Sequence, residues 1–401
     1  MATTQDSVLC DLAEQVAEVA ASAEHERRRG QCAAMHRLER GVTVVNAAIH
    51  AGVWDLCLGE ATGLREERGL ARDLECQLRF KLWKAAVIPD DIPVTPYVTL
   101  SAPGAPGAGP LWGVEPETRR TSQARGAYKP TPIIGDEGDL GALRYPTFSV
   151  DDAAKEQLAE EATALLGGRL ELRFASDAVG CGPFEVAVRF RGMDQLLFDV
   201  YDRPELVHRL MDFFTEGAIH YHRSREAAGV VDATMYDWHS VYDELPAGLS
   251  PTRLASAWAY VHAQSAASFG PEMYAEFIQP YNARLAALFR RVYYHGCEDL
   301  SRKAAIIKDL PNLALFHVSP WTPPAPVVAI LGDAVAYEVH SHPTRVFFDE
   351  AWPEVERDLH ERQAALQGLP HTLTICDVET FNGKPEAAVR WAELAQEAAR
   401  G

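Results

Sequence analysis

A histidine and two cysteines are the residues of this sequence whose types and spacing point most directly to chemistry. His295 and Cys297 lie two positions apart, and Cys376 follows roughly eighty residues downstream. Imidazole nitrogen and thiolate sulfur are ligands that zinc prefers, and three protein ligands with an open fourth position are typical of a catalytic zinc site. A small apolar cysteine beside a hydrogen-bonded histidine is the common alternative. The spacing alone leaves both interpretations open.

The elements that must position these residues are predicted strands alternating with amphipathic helices. Such alternation indicates parallel βα units. The predicted strands are 94–100, 170–175, 230–237, 292–295, 313–318, 334–340 and 372–376. The predicted helices are 151–166, 185–200, 203–228, 251–290, 299–309, 325–331, 352–367 and 384–399.

The number of these units favours one architecture. We predict an α/β fold of the (β/α)8 TIM-barrel type rather than an open doubly wound sheet, because many units occur and polar residues gather just after the strands. No Gly-x-Gly-x-x-Gly follows a strand, which further weakens the case for a dinucleotide-binding sheet. Residues 1–90, with helices predicted at 8–30 and 71–86, should form an N-terminal helical segment packed on a barrel of residues 91–401. The segment 102–146 is rich in Gly and Pro and is predicted to be a long irregular insertion that serves as a binding loop or lid.

Further polar residues are expected at the mouth of such a barrel, where the strands end. Asp237 and His239 end the strand that begins at Val230 and are candidate catalytic groups that position substrate or move a proton. A simple turn cap is the alternative for Asp237. His262 and Gln264 are predicted to bind substrate from a helix that faces the mouth, with a structural role as the alternative for His262.

Other chemistry-bearing side chains have plainer interpretations. Cys181 is expected to be a tight-turn residue, and Tyr294 is expected to pack in the core. His340 ends a predicted strand, and His342 follows it. For His317 and His342 we expect loop residues hydrogen-bonded to the backbone.

Composition limits the class of protein. The 57 acidic and 38 basic side chains give a formal charge of −19. That charge argues against unspecific binding to nucleic acid or to an anionic membrane. The first residues are polar, no apolar run reaches ~18 residues, and seven scattered cysteines suit a reducing compartment. We therefore expect a soluble cytoplasmic protein without nucleic-acid or membrane partners.

Several longer segments carry a family resemblance. The sequences of residues 264–281, 293–300 and 318–321 resemble the uroporphyrinogen decarboxylase superfamily, most of all its corrinoid-dependent methyltransferase branch. Residues 201–211 and 111–115 are also similar to family members. The resemblance covers most of the chain from about residue 36, and it implies a (β/α)8 barrel.

The resemblance also implies a chemistry. In that branch a His-x-Cys pair and a later Cys bind zinc, and the matching residues here are His295, Cys297 and Cys376. The implied reaction moves a methyl group between a small molecule (a methyl ether, an amine or a thiol) and a corrinoid. The corrinoid, of the cobalamin type, would be carried by a separate corrinoid-binding protein, because this chain has no Asp-x-His-x-x-Gly motif.

Two alternatives stay open. One is a metal-free decarboxylase of the uroporphyrinogen decarboxylase type, whose members carry an Arg-Gln-Ala-Gly-Arg segment near the N-terminus. The corresponding residues 45–53 contain no arginine. The other alternative is a barrel that has lost catalysis. Residues 261–264 also depart from many relatives, which are rich in Glu there, so the small-molecule substrate is left undefined.

Overall fold

Strands and helices alternate along most of the chain. The computed structural model describes residues 4–105, 110–122, 128–176, 182–233 and 242–401. Its strands are β1 (Thr43–Ala47), β2 (Tyr97–Ser101), β3 (Gly104–Ala105), β4 (Thr118–Arg120), β5 (Tyr128–Pro130), β6 (Ser149–Val150), β7 (Glu171–Ala175), β8 (Trp258–His262), β9 (Arg291–His295), β10 (Leu313–Val318), β11 (Ala336–His340) and β12 (His371–Ile375). Its α-helices are α1 (Thr4–Ala21), α2 (Ala23–His36), α3 (Ala51–Leu58), α4 (Gly69–Val87), α5 (Asp152–Leu166), α6 (Pro183–Arg191), α7 (Met193–Asp202), α8 (Pro204–Ala227), α9 (Pro271–Phe277), α10 (Gln279–Ala286), α11 (Ala304–Ile307), α12 (Pro324–Leu331), α13 (Pro343–Phe347), α14 (Trp352–Ala365) and α15 (Glu386–Arg400).

A six-stranded parallel sheet organises the molecule. Its strand order is β1-β12-β11-β10-β9-β8, and β2 and β7 form a separate parallel pair. Short antiparallel ladders join β3 to β6 and β4 to β5. The predicted α/β class is confirmed. Among the described residues β1 and β8 are the edges of the large sheet, so closure into a (β/α)8 barrel stays a prediction.

The two faces of the sheet differ in chemistry because successive side chains of a strand point to opposite sides. On one face Val292, Tyr294, Phe316 and Val339 are buried in the main apolar core. Burial along these strands is almost continuous, as expected for a parallel sheet covered on both sides.

The other face is layered. Near the start of the strands Trp258, Tyr293, Leu315 and Ala336 form a small apolar cluster with neighbours from α2 and β1. The layers beyond this cluster, toward the ends of the strands, carry histidine, tyrosine and glutamate side chains. This face therefore presents the polar residues at the carboxyl edge of the sheet.

The outer edge of β1 is closed by carboxylates rather than by a strand. The amide of Val45 donates to Asp91 Oδ2 at 2.8 Å, and the amide of Ala47 donates to Asp90 Oδ2 at 3.1 Å. Asp90 is also paired with Lys84 at 3.1 Å. These contacts satisfy backbone donors that an edge strand would otherwise leave unpaired.

Three features of the predicted layout need correction or restriction. The helical prediction over 251–290 is wrong at its start, because β8 lies there and pairs in parallel with β9. Strand β1 lies inside the predicted N-terminal helical segment, yet it belongs to the six-stranded sheet. In the predicted strand 230–237, residues 230–233 form no strand, and the remainder lies outside the described residues.

Within the described chain no helix is both long and apolar enough to cross a membrane.

Candidate metal centre

The carboxyl ends of neighbouring strands bring metal-binding side chains together. His262 ends β8, His295 ends β9 and His340 ends β11, while Cys376 directly follows β12. His262 and His295 are partners in the register of β8 and β9. Because parallel strands all end at the same edge of a sheet, residues far apart in sequence converge there.

Three buried histidines form the centre of this group. One ring nitrogen from each of His295, His317 and His340 lies within 4.8 Å of the others, which is close enough to hold one metal ion. The rings of His295 and His317 are stacked with centroids 4.1 Å apart. The ring of His340 is 4.1 Å from that of His317 and 6.1 Å from that of His295.

The two predicted cysteine ligands lie at either side of the histidines. Cys297 Sγ is 3.8 Å from His295 Nε2, and Cys376 Sγ is 2.9 Å from His340 Nδ1. The structure thus joins each predicted cysteine to one histidine of the same group. Nitrogen and sulfur donors of this kind fit Zn²⁺.

Hydrogen bonds from outside the group hold the rings in place. The hydroxyl of Tyr260 is 2.5 Å from His295 Nδ1, and Glu338 Oε1 is 2.6 Å from His340 Nε2. Tyr293 donates its hydroxyl proton to the same Glu338 oxygen at 2.6 Å. Such contacts to the distal ring nitrogen are the usual support of a histidine ligand, since they fix the tautomer and the ring orientation.

The electrostatic surroundings of the thiols favour a cation. Burial raises the pKa of Cys297 to about 12, with the charges of Asp377 and Glu298 acting in the same direction. Burial, Asp377 and Glu338 raise the pKa of Cys376 well above its usual range. Thiolates in such acidic, buried surroundings need a positive charge beside them, which a bound metal ion provides.

A cavity of about 450 Å³ lies beside this edge of the sheet. Leu111, Trp112 and Val186 give it an apolar wall, and His262 and Glu185 give it polar groups. Residues of this mixture are typical of small-molecule sites. The carboxylate of Glu185 accepts hydrogen bonds from the amide and the hydroxyl of Ser265, at 2.7 and 2.5 Å.

The other predicted site residues are placed as follows. His262 lines the cavity, but from the end of β8 and not from a helix as predicted, and burial lowers its pKa. Gln264 is exposed in a 3-10 turn that follows. Asp237 and His239 lie outside the described residues, as does Cys181. Tyr294 is fully buried, as predicted.

Sequence reasoning missed two members of the histidine group. His317 does contact the backbone as expected, with Nδ1 2.8 Å from Gly296 O, yet it also lies between His295 and His340. For His340 the sequence indicates only a polar residue at the end of a strand. The available signal was a histidine at, or one residue before, the end of three successive strands.

Comparisons with known proteins agree with this architecture. No protein-family model matches the chain, and no curated protein matches it in sequence. Among solved structures, a methyltransferase from Methanosarcina mazei is similar with a TM-score of 0.54 and 12% sequence identity. The match covers 93% of this chain and 98% of that chain. At this level of identity the likeness concerns the fold, which the two chains share over nearly their whole length.

Proposed function

We propose that this protein is a zinc-dependent enzyme that moves a methyl group between a small molecule and a corrinoid carried by a partner protein. The observation that carries the proposal is the approach of Cys297 to His295 and of Cys376 to His340, two histidines of one buried group at the carboxyl edge of the sheet. The fold shared with a protein described as a methyltransferase supports the same reaction class.

The three predicted ligands would hold the metal. Zinc bound there would supply a Lewis acid that favours the thiolate form of a thiol substrate, or that polarises the leaving atom of a methyl ether or amine. Tyr260 and Glu338 orient the histidine rings through their hydrogen bonds. Burial of His295 and Cys376 limits the access of water to the site.

The cavity beside His262 is the proposed binding site of the small molecule. Its apolar wall at Leu111 and Trp112 would bury the body of the substrate, and the imidazole of His262 would contact a polar group. The ring of His262 packs 5.1 Å from that of Tyr260, which in turn contacts His295. Asp237 and His239 remain proposed as positioning or proton-handling residues, and Gln264 remains proposed as a substrate-binding residue.

We also propose that the sheet closes into a (β/α)8 barrel. The six parallel strands of the large sheet and the two strands of the parallel β2–β7 pair together number the eight that such a barrel needs. The amide of Ser176, just after β7, donates to the carbonyl of Val230 at 3.2 Å, which links this pair to the segment that precedes β8. A crystal structure with a solvent-exposed edge at β8 would contradict closure.

The reaction is tested with cobalamin. Incubation with Co(I) cobalamin and a panel of methyl ethers, methylamines and methyl thioethers should produce methylcobalamin, visible as a change in the cobalamin absorption spectrum. In the reverse direction, methylcobalamin should lose its methyl group to an added thiol. Lack of turnover in both directions, together with consumption of uroporphyrinogen, would replace the proposal by a decarboxylase.

A further inference from the structure

We infer that His340 is a fourth protein ligand of the proposed metal and that Glu338 is the residue that prepares it for ligation. The inference rests on the proposed zinc site and extends it. The sequence motif supplies one histidine and two cysteines, whereas the structure places a second imidazole in direct contact with one of those cysteines.

Two contacts of the His340 ring bear on its role as a ligand. Nε2 lies 2.6 Å from Glu338 Oε1, and an ionised carboxylate can only accept, so we assign a ring proton to Nε2. Cys376 Sγ lies 2.9 Å from the other ring nitrogen, Nδ1, and 3.7 Å from Nε2. A carboxylate–histidine pair of this kind is the usual support of a histidine that binds zinc.

The separation of the donor atoms within each histidine–cysteine pair is close to that of two ligands of one ion. Zinc bonds of about 2.0 Å to nitrogen and 2.3 Å to sulfur place the two donors roughly 3.5 Å apart in a tetrahedral site. The observed distances are 3.8 Å for His295 Nε2 to Cys297 Sγ and 2.9 Å for His340 Nδ1 to Cys376 Sγ. Both pairs reach the required separation with shifts of less than an ångström.

The same geometry disfavours His317 as the additional ligand. Its ring is stacked on that of His295 with only 21° between the planes, so the in-plane lone pairs of the two rings converge poorly. The rings of His295 and His340 are tilted by 50° with centroids 6.1 Å apart, so their ring planes are not parallel as those of His295 and His317 nearly are. His317 instead binds the backbone of Gly296 and supports the ring of His295.

A site with two imidazoles and two thiolates differs chemically from one with a single imidazole. All four positions of a tetrahedral zinc would be filled by the protein in the resting enzyme. A substrate atom would then bind as a fifth ligand or in place of one of the four. The resting coordination is therefore the quantity to measure.

X-ray absorption at the zinc edge counts the ligands. Zinc-loaded wild-type protein should show two sulfur and two nitrogen neighbours, with the outer-shell scattering of two imidazoles. His340→Gln should lose one imidazole from this pattern, and His317→Gln should keep both. His371→Gln is the matched control, because His371 is a buried histidine at the opposite end of neighbouring strand β12.

Affinity gives an independent readout. Competition with a zinc chelator should show binding weakened about 10–100-fold in Glu338→Gln, as for other residues that support a ligand, and at least as much in His340→Gln. A wild-type site with one imidazole, or zinc binding unchanged in His340→Gln, would overturn the inference and leave the proposed function standing. Absence of zinc from wild-type protein would remove both. Wild-type spectra alone decide the ligand count if a variant does not fold.

Discussion

The hydroxyl of Tyr260, on β8, lies 2.5 Å from Nδ1 of His295, which ends the neighbouring strand β9. This contact occupies the ring nitrogen that faces away from Cys297 and leaves Nε2 directed toward the thiol. A side chain that is not itself a proposed ligand therefore determines how the predicted His-x-Cys pair presents its donors.

Tyr260→Phe should weaken zinc binding by roughly 10–100-fold while leaving the ligand set unchanged, because the ring of His295 loses the partner that orients it. Chelator competition measures the change. Tyr274→Phe is the matched control, since the Tyr274 hydroxyl donates to Tyr294 within the apolar core at 2.7 Å. Equal affinities in Tyr260→Phe and wild type would remove Tyr260 from the site.

Purified wild-type protein should contain about one zinc ion per chain, and both Cys376→Ser and Cys297→Ala should contain much less. Elemental analysis of protein prepared without chelator checks this expectation. Cys76→Ser, at a partly buried cysteine on α4, should retain the wild-type content. Far-ultraviolet circular dichroism of Cys297→Ala should match wild type, because the sheet has its own apolar core; a lost fold would make the metal structural.

Asp237→Asn and His239→Ala should bind zinc normally and slow methyl transfer by ~10² or more, as expected for groups that position substrate or handle a proton. Zinc content and single-turnover demethylation of methylcobalamin are the two measurements. Turnover at the wild-type rate in both variants would exclude these residues from the reaction.

His222 should make the protein sensitive to acid. Burial and the neighbouring Arg225 lower the pKa of His222 to about 3 from an ordinary 6.5, and Arg225 Nη1 lies 3.1 Å from His222 Nδ1. The unfolded chain therefore binds one more proton than the folded chain between these two values. The free energy of unfolding falls by about 1.4 kcal/mol per pH unit from this residue as pH drops below 6.5.

Urea unfolding at several pH values between 6.5 and 4 tests this linkage. The slope of stability against pH should be smaller in His222→Gln by about that amount, whereas His360→Gln, at an exposed histidine, should keep the wild-type slope. Parallel curves for wild type and His222→Gln would show that His222 is not the acid-sensitive group.

Asp199→Ala should destabilise the fold by roughly 3–5 kcal/mol, because it leaves the buried guanidinium of Arg191 without its counter-charge. The two side chains form a bidentate pair, with distances of 2.7 and 3.1 Å. Denaturant unfolding gives the value. Asp212→Ala removes an exposed partner of Arg284 and should cost under about 1 kcal/mol; similar losses in both variants would contradict a special role for the buried pair.

The sequence predicted the parts of this fold that have clear periodicity. Strands ending at His295, Val318 and His340 were located to within two residues at either end, since β-branched and aromatic runs stand out between helices. Strand β8 was predicted as part of a helix because alanines lie in it and next to both of its ends, at Ala257, Ala259 and Ala263, and no Gly or Pro bounds it. What makes it a strand is pairing with β9, a contact that local propensity does not encode.

For the candidate site, too, the sequence predicts what depends on local spacing and not what depends on strand pairing. The His-x-Cys pair could be recognised from local spacing, and a distant cysteine could be added by chemical type. The approach of His340 to Cys376 depends on the relative register of β11 and β12, where His340 pairs with Thr374. Register is set by packing over both faces of the sheet, so neither the role of His340 nor that of Glu338 was visible in the sequence.

Because His295 and His340 lie at the ends of their strands, the site also depends on the correct register of β9 and β11. A shift of β9 by one residue would turn His295 to the helix-covered face and present Tyr294 in its place, and the same slip in β11 would exchange His340 for Val339. The donors come together only on a sheet whose strands are aligned as in the native protein. A chain trapped in a misaligned pairing would therefore lose the proposed metal site before it lost its secondary structure.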